Sequence, residues 1–348
     1  AVEGWGYNGR IHGPTIEAVQ GEPCRIYVTN QLPEATTVHW HGVIVPNGMD
    51  GAGGLTQPSI PPGETYRYEF RFPHAGTFMY HPHHDEMTQI ALGMTGLIVV
   101  HPRAPRRSRR PVRDYALLLH EWQIPAGSAR PNPLAMSDFN VLTINGKAWP
   151  AVPALAAETG DLVRIRFGNL SPMDHHPMHL HGHTFQVVAT DGGPVPRGAR
   201  WPETTVLVPV GTTRTIELTA NPGDWPLHCH MTHHVMNQMG HDVPNMTGAD
   251  VAEVDRKMQR LVPGYMSMGT DGMGHMAEMG MPVPGNSIPM LGGKGPFGVI
   301  DMGGMFTILK VRDRLSGTAD PGWYRHPDGT VARRATAAEL RGDGIELP

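Results

Sequence analysis

Residues 227–239 read Leu-His-Cys-His-Met-Thr-His-His-Val-Met-Asn-Gln-Met. His228 and His230 flank Cys229, so on a strand the two imidazoles share one face and the thiol takes the other. The His-x-His pattern recurs at His39/His41, His81/His83 and His179/His181. Four such pairs on strand ends are enough for about three metal ions held by two or three nitrogens each. Cys229 opens a second site on the opposite face. With His176, His234 and Met239 it makes up the Cys, two-His and weak axial Met set of a blue-copper electron-transfer site. Cys24 has no such neighbours and reads as a core residue.

Working outward, the two halves of the chain echo each other. Gly21-Glu22-Pro23 leads into a strand-like run, then His39–Gly42, Pro62–Thr65 and Tyr80–His83. Gly160-Asp161 does the same before His179–Gly182, Val210–Thr213 and Leu227–His230. A shared order of motifs indicates a duplicated domain. Between the breaks set by 43 Gly and 34 Pro lie short strand-like runs, several of which alternate apolar and polar residues. They are Cys24–Thr29, Tyr66–Phe72, Gly96–Val100, Leu162–Phe167, Thr213–Leu218 and Phe306–Val311. Short alternating strands with frequent turns predict an all-β protein of sandwiches or barrels.

The 348 residues allow two or three domains, and 39% hydrophobic content supports packed cores. A net charge of −4 argues against a nucleic-acid binder, and no apolar run is long enough for a membrane span. Two cysteines exclude a disulfide framework. The chain starts at Ala1 with no visible targeting signal, as a trimmed mature chain would. The composition is unusual in its 21 His and 21 Met. Residues 103–113, rich in Arg and Pro, read as a solvated connector between domain one (1–102) and domain two (114–311). A Met-rich insertion occupies about 246–305, and 312–348 form a tail.

The runs His39-Trp-His-Gly42, His81-Pro-His83, His176-Pro-Met-His-Leu-His-Gly-His183 and His228–Met239 resemble the four copper signatures of the multicopper oxidases. The resemblance extends from about Asn8 to Val311 and implies tandem cupredoxin-like Greek-key domains. It implies copper as the cofactor, about four ions per chain. By motif, His176, Cys229, His234 and Met239 would hold the type 1 ion, and His39 and His179 the type 2 ion. His41, His81, His83, His181, His228 and His230 would hold the type 3 pair. Pro82 stands where a type 1 site in domain one would need Cys, so only domain two carries one. The chain resembles the two-domain laccases, which implies a head-to-tail homotrimer with each three-copper cluster between neighbouring subunits. It also implies a periplasmic or secreted setting. Copper nitrite reductases share the two-domain trimer but need fewer imidazoles and usually carry type 1 ligands in the first domain.

The implied chemistry is one-electron oxidation of a small reductant, a phenol or aromatic amine, coupled to reduction of O2 to water. His234 matches the ligand at which electrons enter, and Cys229 the one that passes them on. Asp50, in Gly48-Met-Asp-Gly51, matches a carboxylate that serves proton delivery. Val235 stands where many relatives have a Glu, so a second acid must come from elsewhere, with Asp85 and Glu86 as candidates. A competing reading is a cuprous oxidase, because thioethers favour Cu(I) and Met266, Met268, Met273, Met276, Met279 and Met281 are closely spaced. A copper carrier without catalysis would need only the type 1 set.

Overall fold

A computed structural model describes residues 3–104, 111–125, 128–137, 139–236, 251–263, 292–300, 302–317 and 319–346. The first half carries strands β1 (Ile16–Val19), β2 (Pro23–Thr29), β3 (His39–His41), β4 (Thr65–Arg71), β5 (Gly76–His81) and β6 (Gly96–His101). They form a four-stranded sheet, β1-β6-β5-β3, and an antiparallel pair, β2-β4. The alternation in the sequence explains the packing. Trp40, Phe70, Phe78, Tyr80 and Ile98 point inward into one core.

The second half begins with β7 (Val112–Trp122), β8 (Val141–Ile144), β9 (Leu155–Glu158), β10 (Leu162–Asn169) and β11 (His176–Leu180). It continues with β12 (Phe185–Thr190), β13 (Gly193–Pro194), β14 (Trp201–Glu203), β15 (Thr205–Val208), β16 (Thr212–Thr219) and β17 (Gly223–Cys229). After these come the hairpin β18 (Gly293–Gly295) and β19 (Gly298–Ile300), and finally β20 (Phe306–Arg312). One sheet runs β13-β12-β16-β10-β7-β8, with β14 on β12, and the other β15-β11-β17-β20-β9. Their inner faces share a core that includes Phe167, Met178, Phe185, Leu227 and Leu309.

β7 takes in Val112 and Arg113, which the sequence reading gives to the connector. The reason is parallel pairing with β10 and the 2.8 Å Arg113–Asp161 ion pair. The Met-rich insertion is not wholly irregular, since it contains the helix Val251–Gln259 and the β18-β19 hairpin. Met266, Met268, Met273, Met276, Met279 and Met281 lie outside the described residues. In the tail, Lys310 pairs with Asp320 and sits over the Trp323 ring, so its first part packs on β20.

The halves meet along a seam. Met79 and Leu97 from the first pack on Leu118 and Leu170 from the second. This explains why β5 is buried on both faces. Gly168 permits the close approach, because a Cβ there would lie 2.6 Å from Leu97 Cδ2. Arg166 Nη1 donates to Thr77 Oγ1 and Thr213 Oγ1 to the Thr77 carbonyl, so both strands are tied across the seam. Among the described residues no helix is long and apolar enough to cross a membrane.

Candidate metal centres

The strand period sorts the histidines. On β11, His176 and Met178 point inward while His179 points out, and antiparallel β17 places Met178 opposite Cys229 and His179 opposite His228. One pair of strands therefore presents two ligand sets on opposite faces. The inner set is His176, Cys229 and His234, whose ligand atoms lie within 4.8 Å of one another, all buried. His176 Nδ1 and His234 Nδ1 are 3.1 Å apart, and Cys229 Sγ is 3.4 Å from the latter. His234 sits at Thr232–Met236, a one-turn helix just after β17. Met239 lies outside the described residues.

Two Nδ1 atoms facing each other at this distance cannot both carry a proton, which suits a shared cation. Ser171 Oγ, 2.7 Å from His176 Nε2, fixes the ring so that Nδ1 faces Cys229. Burial holds His176 well below the ordinary imidazole range and so neutral, the metal-binding form. The same burial pushes the Cys229 thiol up to about 12. A bound cation reverses that preference and draws the thiolate. The donors thus fit a blue-copper ion.

The outer histidines form two separate groups. In the first half, register places His39 opposite His81 and Trp40 opposite Tyr80, so the imidazoles face out and the large rings face the core. His39, His41 and His81 have ligand atoms within 4.8 Å of one another. His83 joins them, its ring 5.7 Å from that of His39. In the second half, His179 neighbours His181, His228 and His230 at ring separations of 4.8–5.6 Å.

Backbone carbonyls set the tautomers. His39 Nδ1 donates to Asp50 O, His81 Nδ1 to Pro82 O, His179 Nδ1 to Thr204 O and His228 Nδ1 to Cys229 O. Each bond leaves an Nε2 lone pair for a metal. Two of these lone pairs lie 3.1 Å from a facing nitrogen, His81 Nε2 from His41 Nδ1 and His228 Nε2 from His181 Nε2. Burial lowers His81 to about 3 and also lowers His41, His181 and His228, keeping them neutral. These donors fit copper ions.

Among the described residues no ring contact joins the two groups. His41 instead meets the turn after β15, where a Cβ on Gly211 would be 3.7 Å from its Cε1. That turn follows Val208, the partner of His176, whereas His179 pairs with Thr205 at the other end of β15. The rise along β15 alone parts these ends by about 10 Å.

Asp50 lies beside the first group, its Oδ1 3.5 Å from His39 Nδ1. Gly51 holds this turn (φ 87°), since a Cβ there would meet the Val38 carbonyl at 1.9 Å. Glu86 approaches His81 Nδ1 at 3.6 Å and His83 Nε2 at 3.8 Å, while Asp85 makes no side-chain cap to the helix it starts. Two acids escape a reading of the sequence. Asp174 Oδ2 lies 3.4 Å from His234 Nε2, and Glu121 accepts from the Met173 and Asp174 amides. Asp174 stands two residues before His176, a weak signal. Glu121 comes from β7 and has none.

Comparison with known proteins agrees with this geometry. Two multicopper oxidase family profiles match, over residues 1–105 and 125–249. Laccase-20 of Oryza sativa subsp. japonica is 28% identical over 247 residues, 64% of this chain and 40% of that protein. Copper resistance protein A of Escherichia coli is 36% identical over 115 residues, 33% of this chain and 18% of that protein. The chain thus spans less than half the length of these curated relatives. The solved structure of the multicopper oxidase mgLAC superposes with a TM-score of 0.64 at 25% identity, covering 94% of this chain and 84% of that one. The two profiles fall on the two halves that carry the histidine groups, and the chain belongs to the multicopper oxidases.

Proposed function

We propose that this oxidoreductase is a laccase-type enzyme, oxidising phenols or aromatic amines and reducing O2 to water. One observation carries the reading: two groups of imidazoles have lone pairs aimed outward, and Cys229 joins one of them to a blue-copper set. Copper, when bound, supplies one-electron acceptance at the inner set and O2 reduction at the outer ones. The backbone links Cys229 directly to His228 and His230, a short covalent route between the sets. His234 Nε2 points to Asp174, so a phenol docking there would find a carboxylate to accept its proton. Asp50 and Glu86 stand where protons would be delivered to the outer group.

Each outer group is half a site. We assign its completion to a second copy, so that a ring of three chains joins the first half of one to the second half of the next. Asp174 also favours a second reading, a cuprous oxidase, because its partly exposed carboxylate beside His234 forms a cation-attracting edge. The similarity to copper resistance protein A supports it. Oxygen uptake by the copper-loaded protein with a phenol and with chelated Cu(I), side by side, tests both. Faster turnover on phenol supports the laccase reading, preference for Cu(I) the second, and no uptake with either overturns both.

A further inference from the structure

His12 and His120 take no part in the centres described above. His12 comes from the first half, in a loop where it adopts φ 51°, a left-handed conformation uncommon outside glycine. Its amide donates to the Gly93 carbonyl and its ring Nδ1 lies 2.6 Å from Thr95 Oγ1. With Nδ1–H donating to the hydroxyl, Nε2 keeps a lone pair. That atom is buried and has no hydrogen-bond partner. His120 comes from β7 in the second half and is fully buried; the Leu170 backbone carbonyl approaches one ring nitrogen, and the other has no hydrogen-bond partner.

The two rings lie 5.1 Å apart at an interplanar angle of 70°. His176 and His234, the imidazoles of the Cys229 set, lie 5.1 Å apart at 65°. The seam pair therefore matches the Cys229-set pair in ring separation and tilt. Trp122 closes the pocket, its ring 4.5 Å from that of His120, while its Nε1 donates to Thr143 Oγ1 and is not free to satisfy either histidine. A buried polar atom without a partner costs about 1–3 kcal/mol and calls for an occupant.

We propose that His12 and His120 form a further metal site at the domain seam and hold a cuprous ion between two imidazoles. The donors select the ion. No carboxylate shares the pocket, since Glu121 points to the opposite face of β7 and accepts from the Met173 and Asp174 amides. A structural zinc ion wants four ligands, and a divalent charge between two neutral donors is costly to bury. A monovalent closed-shell ion has the smaller charge and tolerates two ligands, and imidazole suits copper. Burial keeps both rings neutral, lowering His12 to about 4 and holding His120 well below the ordinary imidazole range. Because each half supplies one ligand, the ion clamps the domains together.

Diffraction at the copper edge from crystals of the whole, copper-loaded and anaerobically reduced protein tests the site without any variant. An anomalous peak between the two rings is expected. Density of a water only, or no peak, overturns the proposal. His120→Gln gives a second reading: it should bind about one copper fewer per chain. The blue absorption of its reoxidised form should be unchanged and its thermal midpoint should respond less to Cu(I) chelation than that of the wild type. Equal copper content in both proteins also overturns it.

Discussion

The Asp174 carboxylate separates the two substrate readings at the level of one side chain. It sits 3.4 Å from His234 Nε2 and is partly exposed. If the edge recruits a cation, Asp174→Asn removes one charge contact, on the order of 1 kcal/mol at a surface dielectric. The KM for chelated Cu(I) should then rise roughly 3–10-fold while that for a neutral phenol rises less. Equal effects on both would assign Asp174 to proton acceptance. Behind it, burial raises the Glu121 carboxyl to about 8, so it is protonated in the fold at neutral pH. Its ordinary value is 4.5, so its contribution to stability is full below that and is lost as pH rises through about 8. Glu121→Gln should flatten the decline of the thermal midpoint between these limits, a difference on the order of a few kcal/mol. A midpoint curve parallel to that of the wild type would contradict this. The metal-ligand candidates were readable because two-residue spacings fix which face a side chain takes. Glu121, 53 residues from Asp174, meets it only through the fold, so no local pattern could announce it.

Among the elements, β10 bears the charged framework that joins sheet to seam. Arg164 pairs with both Asp114 on β7 and Glu217 on β16, and Arg166 pairs with Asp114 while reaching Thr77 in the other half. Arg166 is 9% exposed, so it depends on these partners. Asp114→Asn leaves two guanidinium groups short of their counter-charge. It should destabilise the protein by roughly 2–4 kcal/mol in denaturant unfolding. A loss below about 0.5 kcal/mol would mean that solvent already screens the group. The same strands show what alternation can reveal. All six predicted runs form strands; β2 and β4 show the alternation of half-buried strands, whereas β6 and β20 are buried almost throughout. The strands β13, β14, β18 and β19 are two or three residues long, too short for a period to register. Nor does alternation show that β7 and β10 are parallel neighbours, since pairing depends on residues 50 positions apart.

At the scale of the whole molecule, the question is where the two half-sites meet. His39, His41, His81 and His83 face out from one half, and His179, His181, His228 and His230 from the other, with no ring contact between the groups among the described residues. Two variants can decide it when co-expressed. His39→Ala/His41→Ala disables the first group of a chain, and His179→Ala/His181→Ala the second. Neither alone should turn over. If the site forms within one chain, every chain in the mixture carries a broken site and activity stays absent. If it forms between neighbours in a head-to-tail ring, an intact first half meets an intact second half at about one interface in four. Activity near a quarter of the wild-type rate is then expected, with a sedimentation mass of three chains. Complementation at a mass of two chains would keep the shared site and replace the ring with a dimer. That dimer would need a self-complementary contact, which two different half-sites supply only by forming both junctions at once.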